Sequence, residues 1–163
     1  MGYPPAPNQS LTEETHRLLS GEKVLVLASS GEGQPWCASV YFAHRGSRFY
    51  FFSSPDSRHI REFRLPPEAA GAVSADHPEW RQIRGVQMQG RVEAVRGVRE
   101  KFTALKAYLK KFPFVKAFLR EQAAAGELSL GKLLGGYLFV FVAEQVYRLD
   151  NRHGFGSRVQ VEL

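Results

Sequence analysis

The stretch Phe49-Tyr50-Phe51-Phe52-Ser53-Ser54-Pro55-Asp56-Ser57-Arg58-His59 constrains the fold of this chain more than any other. Four consecutive aromatic residues are too apolar for a loop and read as a buried strand. The run stops abruptly at a cluster of hydroxyls, a proline and basic side chains, the composition of a helix start. Ser54 as N-cap places Pro55 at the first helical position, where its missing N–H costs nothing. Asp56 as N-cap is the competing placement. In either register, helix-start N–H groups, two or three hydroxyls and a guanidinium converge on a spot suited to a phosphate. The same residues also make an ordinary capped helix beside a solvated arginine, and this stretch alone leaves both readings open.

The 163-residue chain reads as one well-buried domain. Its first nine residues hold three prolines and form a lead-in, so the domain runs over 10–163. Ser10-Leu11-Thr12-Glu13 has capping-box spacing and opens a short helix that Gly21 ends. The apolar run over 23–30 predicts a strand buried on both faces. Gly31 to Gln34 supplies a hairpin turn, and a second strand over 35–44 places Trp36, Ala38, Val40 and Phe42 on one face. Cys37, Ser39, Tyr41 and Ala43 fall on the other. After the aromatic strand over 48–53 comes a helix over 56–64 that turns Ile60 and Phe63 to the sheet and stops at Pro66-Pro67. Small residues over 69–75 make a fourth strand. A long fifth strand over 83–95 carries Gly85 and Gly90, which permit the bulges a barrel needs to close.

A helical insertion over about 97–126 follows. Its first stripe is Val98, Phe102, Leu105, Leu109 and Phe112. Beyond Pro113 its second is Phe114, Val115, Phe118 and Leu119. Lysines 106, 110, 111 and 116 cover the outer faces. A last strand over 135–149 alternates Tyr137, Phe139, Phe141, Ala143 and Gln145 against Leu138, Val140, Val142, Glu144 and Val146. Six or so strands bent by glycines, with a few helices, predict a mainly β fold: a small closed or half-closed antiparallel barrel.

The net charge is +6, but acidic residues are interspersed with the basic ones. No zinc-finger spacing, basic run of five or RNP-like motif is present, so anionic small ligands are expected in preference to nucleic acid. No apolar run approaches the roughly 18 residues a membrane span needs. No signal peptide is visible, and a lone Cys37 forms no internal disulfide, so the expected location is the cytoplasm. Cys37 reads as a small buried hydrophobe. His16, His44 and His77 read as surface residues, and the five histidines show no metal-site spacing.

Several segments together resemble the pyridoxamine 5′-phosphate oxidase-like superfamily of FMN-binding split barrels, in particular a small bacterial branch with a Gly-Phe-Gly tail. The resemblance runs in order from about Ser10 to Arg158. Residues 33–42 look like the strand along one flavin edge, which implies roles for Ala38, Ser39, Val40 and Tyr41. Phe52, Ser53, Ser54, Ser57, Arg58 and His59 look like the element that grips the FMN phosphate. Residues 83–93, ending in Gly-Arg-Val-Glu, look like the strand bordering the flavin and bring in Val86 and Gln87. Trp80 is a candidate to cover the ring. Asn151 to Arg158, with Phe155, matches the tail. The resemblance implies a six-stranded antiparallel split β-barrel of Greek-key type with peripheral helices, and a homodimer with FMN at the interface. It also implies oxidoreductase chemistry on a small-molecule substrate with a nicotinamide electron donor.

Three departures stand out. The oxidase proper has arginine where Ala38 falls, lysine where His59 falls and glutamine where Gly85 falls. Flavin binding is therefore expected and pyridoxamine phosphate oxidation is not. The alternatives are a non-catalytic flavin-binding or sensing protein, and a haem or tetrapyrrole binder with His153 as axial ligand.

Overall fold

The computed structural model describes residues 8–29, 34–64, 67–126 and 130–163. The predicted lead-in, the turn over 31–33 and Pro66 fall largely or wholly outside them. Helix α1 (Asn8–Gly21) leads into β1 (Val24–Ser29), β2 (Trp36–Tyr41), β3 (Ala43–Arg45) and β4 (Arg48–Phe52). One helical turn, α2 (Arg58–Glu62), precedes β5 (Glu68–Ser74) and β6 (Arg84–Ala94). Helices α3 (Val98–Lys111), α4 (Phe114–Ala124) and α5 (Leu130–Gly136) are followed by β7 (Leu138–Asp150) and β8 (Arg158–Gln160).

All strands join one antiparallel sheet in the order β2-β1-β5-β6-β7-β4-β3, with β8 added to β7. The two ends of that order are halves of a single segment, interrupted only at Phe42. The sheet therefore curls back on itself as a split barrel. Counting β2 and β3 as one bent strand and setting β8 aside recovers the six predicted strands. Inside lie Leu25, Leu27, Phe42, Phe49, Phe51, Val73, Val86, Val92 and Phe141.

Gly90 shows why the bend falls where it does. A Cβ at this position would overlap the carbonyl oxygen of Val142. Opposite it the register shifts: Gly90 faces Ala143 and Gln89 faces Gln145, leaving Glu144 as the extra residue of a bulge. Inward positions on β7 consequently change from Phe139, Phe141 and Ala143 to Val146, Arg148 and Asp150. The single alternation predicted for this strand holds only up to the bulge.

Other expectations need correction. Helix α1 already includes Asn8, so Ser10 lies inside it instead of capping it. Strand β1 is buried on one face only: Val24 and Val26 are 44% and 37% exposed on the outside. Among the helices, Val98 and Phe102 are 70% and 63% exposed, and Phe114 and Phe118 also face out. Of the predicted stripe Leu105 and Phe112 are buried, and Ala104 and Tyr108 join them, Ala104 packing against Tyr50 of β4 and Tyr108 and Phe112 against Ala43 of β3. Lys111 is half-buried, donating to the carbonyl of Leu19 at 2.8 Å with its ammonium 3.6 Å above the Phe42 ring. Burial lowers its pKa to about 8. The segment before β7, read as strand from Gly135, is the helix α5.

Candidate functional site

At the end of β4 the backbone leaves the sheet and turns sharply before α2. Ser54 organises that turn. Its carbonyl accepts from the Ser57 N–H at 3.1 Å and from the Ser57 hydroxyl at 2.7 Å, and its hydroxyl accepts from the Asp56 N–H at 3.3 Å. The helix thus starts after Ser57, later than either predicted cap, and the Ser57 side chain makes no capping bond. With five residues α2 has little dipole to offer an anion. Any grip must come from side chains.

Those side chains converge. The Ser53 hydroxyl lies 2.8 Å from His59 Nε2 and 3.2 Å from the Ser57 hydroxyl, which is itself 3.4 Å from the same nitrogen. Arg58 stacks over the Trp36 ring of β2 at 4.1 Å and donates from Nε to Glu62 at 2.6 Å. Among the described residues nothing engages its two terminal nitrogens, so a two-pronged donor remains. Glu62 also receives the Ser29 hydroxyl, and these two donors hold its carboxyl below the ordinary value. Burial shifts the His59 pKa downwards, opposed only by the nearby Glu62 charge. The two hydroxyls and the imidazole thus bond to one another, while Arg58, between Ser57 and His59 in the chain, turns its guanidinium to Trp36 and Glu62; these residue types suit a phosphate monoester.

Strand β2 borders this cluster. Within the sheet it is paired by β1 alone, which leaves its other edge without a ladder partner. Ala38 and Val40 turn inward opposite Leu27 and Leu25, while Ser39 and Tyr41 turn out. The Tyr41 carbonyl accepts from the Tyr108 hydroxyl at 2.8 Å, and Phe52 packs edge-on to the Tyr108 ring at 4.9 Å. Cys37 is exposed on the outer face beside Ala28, not buried as expected. Tyr108 is a residue that sequence reasoning missed; on helical spacing it was one position off the predicted stripe.

The other candidates lie elsewhere. Val86 is buried in the barrel, so only its backbone can face a ligand. Gln87 is exposed and accepts from Arg158 at 2.9 Å. Trp80 and Phe155 meet with ring centroids 5.8 Å apart, and Asn151 ties their segments by donating to the Trp80 carbonyl at 2.8 Å and accepting from the Gly156 N–H at 3.0 Å. Cross-strand pairs run Ser39, Val26, Ala72, Gln87 and Tyr147 in one row across the outer face. From Ser39 to Gln87 is three strand spacings, about 14 Å. One chain therefore gathers the β2–β4–α2 residues at one side of this face and Gln87, Trp80 and Phe155 at the other. A separate cleft of about 700 Å³ is lined by Ile60, Phe63, Arg64, Val92 and Phe139 and holds none of the candidates.

His44 is not a surface residue either. It stacks on His16 with centroids 5.4 Å apart, and burial, Lys111 and His16 lower its pKa to about 4. No group of three or more metal-ligating side chains occurs among the described residues.

The profile of the pyridoxamine 5′-phosphate oxidase family matches residues 12–129. The chain belongs to that family. A UPF0306 protein of Photorhabdus laumondii is 28% identical over 146 residues, covering 88% of this chain and 90% of the relative. Among solved structures, a heme-binding protein from Mycobacterium smegmatis superposes with a TM-score of 0.69 at 21% identity. That match covers 98% of this chain but 59% of the larger protein. An FAD-binding protein from Mesorhizobium loti superposes with a TM-score of 0.59 at 23% identity, covering 82% of this chain and 90% of the other. These likenesses establish the split-barrel fold of the family. No helix among the described residues is long and apolar enough to cross a membrane.

Proposed function

We propose that this family member binds FMN as a homodimer and uses it to oxidise or reduce a small molecule with a nicotinamide donor. The observation that carries the reading is the cluster of Ser53, Ser57 and His59 at the end of β4, with Arg58 of the same turn lying over Trp36 of the edge strand β2. In this reading the phosphate sits on those four side chains. The isoalloxazine ring lies along Ser39 to Tyr41, where the unpaired edge of β2 offers hydrogen bonds to its pyrimidine side.

The dimer follows from what one chain leaves unfinished. Val24, Val26 and Tyr41 are large and exposed on the same side of the sheet as Ala70 and Ala72. A two-fold axis on this flat face brings the Gln87–Trp80–Phe155 side of one chain towards the β2–α2 side of its partner, completing a cleft that neither chain encloses alone. When bound, the flavin supplies the hydride and electron chemistry. The chain's residues hold the phosphate, orient the ring and exclude water. Ala38 and His59, in place of arginine and lysine, leave a less cationic site than that of the oxidase proper.

The visible spectrum of the purified protein tests this directly. The two flavin bands, retained or acquired on adding FMN, are expected. A colourless protein that takes up no FMN sinks the proposal, and a Soret band points to haem, for which His153, largely exposed beside Asp150, is the candidate ligand. Anaerobic bleaching by NADH or NADPH separates an enzyme from a passive flavin binder.

A further inference from the structure

Helices α3 and α4 carry most of the charge asymmetry of the chain. Residues 98–124 hold seven of the 22 lysines and arginines but only two of the 16 acidic residues. The rest of the sequence is almost neutral, so nearly all of the +6 net charge sits on this helical insertion. One of its two acids, Glu100, is already taken by Arg48 of β4.

The apolar side chains of the same insertion are not all covered. A groove of about 380 Å³ along α3, facing the start of α4, is lined by Phe102, Leu105, Lys106, Leu109, Lys110 and Lys116. Three apolar side chains thus alternate with three lysines, and no acidic residue joins them among the described residues. Phe102 is 63% exposed, and Val98, one turn before it on the same side of α3, is exposed as well. Among the described residues no carboxylate comes within ion-pair reach of Lys106, Lys110 or Lys116. One face therefore combines large apolar groups left in water with cations left without partners.

We propose that this face of α3 and α4 rests on an anionic lipid bilayer, with Val98 and Phe102 entering the headgroup region and Lys106, Lys110 and Lys116 set against the lipid phosphates and carboxylates. A helix that lies on a membrane without spanning it combines these two features, bulky apolar residues and lysines on adjoining sides. The lysine stems follow the apolar surface while their ammonium groups stay among the headgroups. Other occupants match the face less well. A second copy of the same face would set one cluster of seven basic residues against another. The core of a protein interface is depleted in lysine. A nucleic acid would engage the lysines through its phosphates and leave Val98 and Phe102 in water. The face shares no residue with the Ser53–Arg58 cluster, so it stands or falls independently of the flavin.

Co-sedimentation of the purified protein with vesicles tests the surface, using phosphatidylcholine alone and an equal mixture with phosphatidylserine. Saturable binding to the mixed vesicles, little binding to phosphatidylcholine and release by added salt are expected. Lys106→Gln and Lys110→Gln should each weaken binding about fivefold, the effect of one charge near the surface. Phe102→Ser should weaken it by a similar factor while leaving the salt dependence as in the parent. All three side chains are exposed, so the melting temperatures and visible spectra of the variants should match those of the parent. Absence of binding, or equal binding to the two kinds of vesicle, overturns the proposal. Unchanged vesicle binding by Phe102→Ser also overturns it, and tight binding of that variant to heparin would mark the face as a general polyanion site. A changed oligomeric state of Phe102→Ser by sedimentation would assign the face to a second copy instead.

Discussion

Arg58 and His59 divide the work of holding a phosphate unequally. Arg58 keeps a permanent charge and two unengaged nitrogens, so Arg58→Ala should weaken FMN binding by about 2 kcal/mol, some 30-fold, as read by fluorescence titration. Equal affinity in the variant would place the phosphate elsewhere. His59 is held neutral near pH 7 because burial shifts its pKa below 6.5. A bound dianion favours its protonated form, so lowering the pH should raise FMN affinity until the phosphate, whose own second pKa is about 6, begins to take up a proton. His59→Gln should flatten this dependence while leaving the neutral-pH affinity nearly unchanged. Of this cluster, the residue types and their place at the end of the aromatic strand were legible in the sequence. What was not legible is that Glu62 shares Arg58 and Ser29, or that the hydroxyls bond to one another and to His59, because those pairings depend on how the turn folds. Cys37 was misread for a related reason: an apolar neighbourhood in sequence does not say which face of a sheet will be covered.

At the scale of elements, the glycines of β6 carried the most information. Gly90 was expected to permit a bend, and the close approach of the Val142 carbonyl supplies the reason. Gly90→Ala should destabilise the fold by roughly 3 kcal/mol, measured by denaturant unfolding, since rigid backbone and not a flexible side chain stands in the way. The helices were legible as helices and less so as surfaces. Period alone assigned Val98 and Phe102 to the buried stripe of α3, yet the helix rotates to bring Tyr108 over β2 and β4, and those two stay in solvent. Leu130–Gly136 was read past altogether, because a seven-residue helix with glycines at its end has almost no periodic signal. The bulge at Glu144 had no mark in β7 itself; its cause lies on the partner strand.

Across the whole molecule, α1 is fastened to the barrel through Arg148, which joins Glu14 of the helix to Asp150 of β7. Burial pushes the Asp150 carboxyl upwards, but hydrogen bonds from Arg152 and Arg148 outweigh it and hold the group well below the ordinary carboxylate range. A depressed folded-state pKa contributes stability that is fully present above the unfolded value, near 3.9, and is lost as pH falls further. Acid unfolding monitored by circular dichroism should therefore steepen below about pH 4, and Asp150→Asn should lower the neutral-pH stability while removing much of that slope. The outer face makes a second molecular-scale prediction. Val26→Asp should yield a folded monomer by sedimentation, with flavin retention reduced in parallel. Retention by a monomer would show that one chain completes the site.

The closure of the sheet through a single segment bears on how the chain reaches this state. Local hairpins, β1 with β2 and β3 with β4, can form early, but Phe49 meets Phe141 only after nearly the whole chain has been made. Folding should thus be limited by that late, non-local zipping, on the millisecond-to-second scale of β-rich topologies. Until β7 arrives, the aromatic strand β4 has no partner on its other side. During synthesis, that strand is the part of the molecule most in need of protection from its neighbours.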